Sequence, residues 1–293
     1  HSSKPGPQTK KHHHEPREKR KAATMTWPQP SITTQQPVWV IADLHGSLAL
    51  TTEIFKHIGN DSFVQLGDLI DRGPKSKQVA ELFLNAQQQG QGVLISGNHE
   101  QMMRLDLYGD SSWDWYNQGG KETLQSCENL QDAYELIKRL SEVQKGALLS
   151  QDIDFGVHGT GELLLSHAMR PADPAQTSPW GETFALELFG RPDSDHQPSW
   201  EESCKKFQTE PTQAKLKLSV HGHTIMQAPT LIKESDGSFS LYLDLGSSFA
   251  LKRRGIERAA LLHTPTLEVH TLILKEENPE PIQWQRTPLE FNT

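Results

Sequence analysis

Three short segments carry most of the chemistry open to this sequence: Asp43-Leu44-His45-Gly46, Gly67-Asp68-Leu69-Ile70-Asp71-Arg72-Gly73 and Gly97-Asn98-His99-Glu100. Carboxylate oxygens, imidazole nitrogens and an amide oxygen are donors that divalent cations take from proteins. A glycine beside each segment lets backbone approach an ion closely. One Asp-x-His alone carries little information. Asp43, Asp68 and Asn98, however, follow one another at 25 and 30 residues, roughly one strand-helix unit per step, each just after a short apolar run. The pattern reads as a metal site distributed over three loops.

The intervening residues supply elements to position those loops. Val38 to Ala42 reads as a buried strand ending at Asp43, and Leu50, Ile54, Phe55 and Ile58 form one helical face closed by Gly59-Asn60-Asp61. Ser62 to Leu66 gives a second strand, Val79, Leu82, Phe83 and Ala86 a second helical stripe, and Val93 to Ser96 a third strand. In an open α/β sheet, ligands gather outside the carboxyl ends of strands, so the three loops converge on one rim. Residues 101–150 are polar, helical in character and broken by the Trp113 to Gly120 loop, and they read as a helical insertion capping the site. Glu162 to Ser166 is a strand delivering His167, and Leu218 to Val220 one delivering His221 and His223. Residues 171–215 read as a long, partly helical excursion. Phe239, Leu241, Leu243 and Leu245 alternate onto one face, and Val269, Leu272 and Leu274 close a second strand set. Periodicity alone gives an α/β protein with mixed sheets.

With those motifs in place, the chain resembles the metallophosphoesterases, in particular the phosphoprotein-phosphatase branch with its bacterial members and the symmetrical diadenosine tetraphosphatases. That branch carries GDxHG, GDxVDRG and GNHE segments, here with Ala42 for the first glycine and Ile70 for the valine. Leu165-Ser166-His167-Ala168 resembles its H-A segment, His221-Gly222-His223-Thr224 its late GHT segment, and Trp113 to Thr123 its W-x-x-N-G-G-x-x-T stretch with one extra glutamine. Asp244-Leu245-Gly246 resembles its D-T-G turn. The resemblance implies a calcineurin-like α/β fold of two mixed β-sheets flanked by helices, with the metal site at strand ends. It places the catalytic domain over 37–276.

The resemblance also implies roles. Asp43 and His45 hold one metal, Asp68 bridges two, and Asn98, His167 and His223 complete the second; His221 is left as a neighbour. Two divalent ions result, manganese first, with iron or zinc as alternatives. His99 is the general acid, Asp71 its orienting carboxylate, and Arg72 a planar fork for phosphate oxygens. Taken singly, Asp71-Arg72 reads as a loop salt bridge, His99 as a loop histidine and Glu100 as a first-turn helix acid; the ordered set makes the metal reading. The branch usually has a second arginine, as W-x-R, where this chain has Trp180-Gly181-Glu182. Arg170 is expected to replace it, with Arg191 in reserve. Asn98, Asn117, Trp113 and Trp115 are expected at the substrate. His57, His158, His196, His263 and His270 read as surface or structural.

Composition sets the frame. At 293 residues and 34% hydrophobic content the chain can bury a sizeable core, and no apolar stretch reaches membrane-span length. Cys127 and Cys204 make no metal or disulfide pattern, which suggests a reducing, cytoplasmic setting and inert thiols. Residues 1–22 hold seven Lys/Arg against two Glu, net +5, leaving −13 for the rest of a chain at −8. A net-acidic body is unlike a nucleic-acid-binding enzyme surface. Residues 1–36 read as a disordered basic arm, a solvated tail or a weak electrostatic tether to RNA or an anionic membrane, and residues 277–293 as an extended tail. The expected activity is hydrolysis of phosphoserine and phosphothreonine in proteins by in-line attack of a metal-bridging hydroxide. The rivals are symmetrical hydrolysis of dinucleoside tetraphosphates, phosphotyrosine hydrolysis and a non-catalytic metal-binding adaptor.

Overall fold

The computed structural model describes residues 31–108, 114–170, 216–248, 255–275 and 284–291. Among them, two six-stranded mixed sheets stack face to face. The first runs β1 (Ser31–Thr33), β5 (Ala147–Asp154), β6 (Thr160–Ser166), β7 (Leu216–His221), β9 (Phe239–Tyr242), β8 (Thr230–Lys233). The second runs β12 (Gln285–Pro288), β11 (Glu268–Lys275), β10 (Ile256–His263), β2 (Trp39–Ile41), β3 (Phe63–Gln65), β4 (Gly92–Leu94). The parallel trio β2, β3, β4 and the parallel set β6, β7, β9 each end at the rim where the motif loops begin.

Strand alternation explains the two cores. Val40, Ala42, Val64 and Leu66 face inward and pack with Leu163, Leu165, Leu218, Val220 and Leu241 of the first sheet. Trp39, Ile41 and Phe63 point the other way, onto α1 (Leu48–Ile58), α2 (Ser76–Gln88), α3 (Asn98–Tyr108) and α5 (Leu130–Val143). The side chain of Ser47 caps α1 by accepting from Leu50 N, and Gly59, at φ 58°, ends it in a conformation that glycine adopts freely. The expected helical stripes are buried except for Phe55, which is half-buried, and Leu82, which is exposed. Among the described residues no helix is long and apolar enough to cross a membrane.

Three boundaries differ from expectation. Residues 101–150 are built into the core: Met102, Met103 and Leu107 of α3 and Ala133, Leu136, Ile137 and Leu140 of α5 complete the helix-side core, and Ala147 onward is strand β5. The basic arm stops short of 36, because Ser31–Thr33 pairs in parallel with β5. The C-terminal tail contains β12, an antiparallel edge strand on β11. Both edge strands are held chiefly by backbone ladders, which leave no apolar period to read. Residues 1–30 and 171–215, with Arg191, Trp180, His196 and Cys204, lie outside the described residues, as does Trp113.

Candidate metal centre

The three loops are bolted together by backbone. Leu44 N and His45 N donate to Asp68 O at 3.1 and 2.9 Å, and His99 N donates to Asp68 Oδ1 at 3.0 Å. Glu100, in the first turn of α3, accepts from Asp68 N, Leu69 N and Gly97 N at 3.0, 2.8 and 2.9 Å. Sequence reasoning gave Glu100 no more than a helix-end role; its carboxylate instead ties the second loop to the third. Gly97 has to be glycine, since a Cβ there would lie 2.0 Å from Asp68 Oδ1. His45, Asp68, Asp71, Arg72 and His223 all sit at positive φ, five of the eight such non-glycine residues among those described. Backbone strain is therefore concentrated at this rim.

The side chains then converge. Asp68 belongs to both groups of metal-capable donors, one with His45 and His99 and one with His167 and His223. His45 Nδ1 donates to Ile70 O at 2.8 Å, which turns Nε2 toward Asp68 Oδ2 at 3.6 Å and Asp43 Oδ2 at 4.0 Å. His167 Nδ1 faces Leu66 O at 2.8 Å, and its Nε2 meets Asn98 Oδ1 at 2.9 Å and Asp68 Oδ2 at 3.5 Å. His223 Nδ1 also meets Asn98 Oδ1 at 2.9 Å, while His223 N donates to both oxygens of Asp43.

This donor set fits divalent cations. Two oxygens that only accept face both nitrogens of His167, so the ring is either doubly protonated or shares its Nε2 lone pair with a cation. Burial opposes the first state, yet the Asp68 carboxylate outweighs it and holds the imidazole up at about 10. Burial works to raise Asp68 itself, but His167 and His99 hold it well below the usual carboxylate range. Asp43 is pushed well above that range by burial and by neighbouring Asp244, whose own carboxyl burial lifts to about 6. Three buried carboxylates in one place call for positive charge. Ligand atoms about 2.0–2.2 Å from one ion lie about 3.0–3.5 Å apart, close to the spacings found here. Burial, with Arg72 next, lowers His45 well below its ordinary value, and burial, with His167 next, lowers His223 to about 3, so both rings are neutral as ligands must be.

The proton-handling groups stand beside this centre. His99 Nδ1 lies 2.7 Å from Asp71 Oδ2, and its Nε2 faces Asp68 Oδ2 at 3.9 Å. Geometry alone admits His99 as a donor of the first group; the grip of Asp71 on Nδ1 suits it better to present a proton from Nε2. Asp71 is itself held by Trp115 Nε1 at 2.8 Å and by the Thr123 hydroxyl at 2.5 Å. Trp115 is fully buried and so orients Asp71 instead of touching substrate, a correction to the expected role. Arg72 Nη1 donates to His45 Nε2 at 2.8 Å, so its guanidinium points into the cluster. Its backbone N donates to Gly119 O at 3.2 Å, which seats the glycine loop against it.

Other expected residues stand elsewhere. Asn117 is exposed and donates to Asp114 Oδ2 at 2.5 Å. Arg170 is 1% exposed, with Nη1 on Asp236 Oδ2 at 2.8 Å and Nη2 on Ser238 Oγ at 2.5 Å. That closes its fork inside the first sheet and withdraws it as a phosphate clamp. His221 is a neighbour, set between Ser166 Oγ at 3.1 Å and Ser219 Oγ at 3.0 Å, and burial together with the Arg170 charge lowers it to about 3. Cys127 is half-buried, and burial pushes its thiol up to about 11, which keeps it inert near neutral pH.

The sequence profile of the calcineurin-like phosphoesterases matches residues 36–227. Serine/threonine-protein phosphatase 1 of Salmonella typhimurium is 32% identical over 87 residues, 28% of this chain, and the match spans 38% of that relative's length. A serine/threonine phosphatase structure from Saccharomyces cerevisiae, described as similar to human phosphatase PP5, aligns over 90% of this chain and 85% of its own at 16% identity and TM-score 0.47. A protein assigned as a diadenosine tetraphosphatase aligns over 89% of this chain and 98% of its own at 15% identity and TM-score 0.45.

Proposed function

Because the chain belongs to the calcineurin-like phosphoesterase family, we propose that it removes phosphate from phosphoserine and phosphothreonine in proteins, using two divalent cations, manganese first, held by Asp43, His45, Asp68, Asn98, His167 and His223. The single observation that carries this reading is the shared carboxylate of Asp68 between two donor groups, with the His99–Asp71 pair beside it. Bound cations supply Lewis-acid polarisation of phosphoryl oxygens and a nucleophilic water near neutral pH. Arg72 holds the remaining phosphoryl oxygens through its fork and offsets charge that builds on them.

His99 then does the work that a serine or threonine leaving group requires. An alkoxide is a poor leaving group, so a proton delivered from Nε2 as the P–O bond breaks lowers the barrier. Asp71 keeps Nδ1 engaged, and Trp115 and Thr123 keep Asp71 in place. A metal-binding adaptor has no use for such a buried acid pair. The name of the Salmonella relative supports a protein substrate; a cytoplasmic location, read from cysteine usage, belongs to the same proposal. Turnover of phosphoserine and phosphothreonine peptides, a phosphotyrosine peptide and diadenosine tetraphosphate is measured side by side with added manganese. Preference for the first two supports the reading, and preference for the dinucleotide or for phosphotyrosine overturns its substrate class.

A further inference from the structure

Arg170 follows His167 by three residues yet turns away from the phosphate site, onto Ser219 of β7, Ser240 of β9 and Ser238 of the turn before β9. We propose that Arg170 is a positioning residue which, through a closed ring of hydrogen bonds, sets His167 and His223, the two imidazoles of the second metal group; this rests on the metal reading above.

The ring runs in one direction. The Ser166 hydroxyl donates to Met169 O at 2.7 Å, so Ser166 Oγ, 3.1 Å from His221 Nδ1, accepts there. Nδ1 thus carries the imidazole proton and Nε2 accepts from the Ser219 hydroxyl at 3.0 Å, the other acceptor within reach, Phe239 O, being longer at 3.4 Å. Ser219 Oγ accepts from Arg170 Nε at 3.4 Å and from the Ser240 hydroxyl at 2.9 Å. A guanidinium only donates, which fixes the sense of the whole chain. Arg170 and Met169 share a peptide bond, so the ring closes on itself. Asp236 and Ser238, from the β8–β9 turn, anchor its outer end.

What the ring encloses gives it its role. Ser166 and Met169 flank His167, and Ser219 and His221 lead into His223. The two ligand segments touch directly where Gly222 N donates to His167 O at 2.7 Å. β6 and β7 are parallel neighbours, so both segments leave the same rim. Holding those two strand ends in register is what brings His167 Nε2 and His223 Nδ1 each to 2.9 Å from Asn98 Oδ1. Groups that hold metal ligands from behind typically change metal affinity when removed, more than they change substrate binding.

The test titrates Mn2+ into metal-free wild type, Ser219→Ala, Arg170→Met and Arg170→Lys by calorimetry, beside thermal melting and KM at saturating metal. Wild type binds two ions. Ser219→Ala and Arg170→Met weaken one of the two steps by about 10- to 100-fold and leave the other unchanged, as loss of a group behind a ligand does. Arg170→Lys recovers part of that loss, and KM stays at the wild-type value in all three. Two wild-type affinities in Ser219→Ala overturn the inference alone, and that variant decides the matter if Arg170→Met fails to fold. Equal weakening of both steps with a lowered melting temperature overturns it in favour of a general structural role. A raised KM with intact metal binding overturns it in favour of a phosphate clamp. A wild-type chain that binds no Mn2+ overturns the metal reading and this inference together.

Discussion

Asp71 Oδ2 lies 2.7 Å from His99 Nδ1, and both side chains are buried, 1% exposed or less. The pair leaves only Nε2 of His99 facing the metal donors. If that nitrogen delivers the proton, His99→Ala lowers kcat on phosphoserine peptides by about 10²- to 10⁴-fold and costs far less on an aryl phosphate with a good leaving group. Asp71→Asn follows the same order with a smaller loss. Parallel kinetics on the two substrates check this, and equal losses on both reassign His99 to binding.

Gly119 tests how tightly Arg72 is seated. It sits at φ 118°, and a Cβ there would lie 2.6 Å from Arg72 N. Gly119→Ala therefore displaces the fork, with an expected fall in kcat/KM on the order of a hundredfold, the size typical of a misplacement near 1 Å. Bound manganese, measured by elemental analysis, stays at the wild-type amount.

A second histidine cluster, apart from the candidate metal donors, gives a pH prediction. His57 Nε2 lies 2.9 Å from His270 Nδ1, and its ring stacks on Trp284 with centroids 4.1 Å apart. Burial, then the charges of His270, Arg286 and His263, lowers His57 from 6.5 to about 4. As pH falls from 6.5 to about 4 the unfolded chain takes up a proton that the folded chain refuses, so His57 contributes a loss of stability across that window. Urea midpoints at about pH 7.5 and about pH 5 should differ more in wild type than in His57→Phe.

The N-terminus separates into two parts. Removing residues 1–30 leaves β1 intact and is expected to leave the melting temperature and small-substrate turnover unchanged. Any salt-sensitive association of the net +5 arm with an acidic partner is lost with it. Removing residues 1–36 also deletes the ladder of Ser31, Ile32 and Thr33 on Leu148, Leu149 and Ser150, a cost on the order of 1–2 kcal/mol. Melting curves of the two truncations distinguish them.

The metal loops were legible because their chemistry is local: donor types, glycines and preceding apolar runs all lie within a few residues of each other. Helices α1 and α2 were legible through stripes such as Leu50, Ile54 and Ile58, whereas the stripe of α5, Ala133, Leu136, Ile137 and Leu140, was passed over inside a stretch read only as polar and helical. The roles of Glu100, Trp115 and Thr123 were not, because each acts on a backbone or carboxylate 31 to 52 residues away and only tertiary structure joins them. Arg170 was misread because closeness to His167 in sequence does not say which way the chain turns after a strand. Its partners did leave a signal: Ser238 and Ser240, two apart on or beside β9, put hydroxyls on one sheet face next to Ser219 and His221 of β7. Buried hydroxyls at strand period imply a charged or polar group for them to meet. Strands β1 and β12 gave none, since exposed edges need no alternation.

The most direct test of the central claim is the metal content of the purified chain after manganese reconstitution, measured together with phosphopeptide turnover in wild type and Asp68→Asn. Two ions per chain are predicted in wild type, with turnover abolished by chelation and restored by manganese. Asp68→Asn, which weakens the carboxylate common to both donor groups, is predicted to lose metal and turnover together. Full turnover in a verified metal-free sample, or an Asp68→Asn variant that keeps both ions and wild-type kcat, would contradict the account.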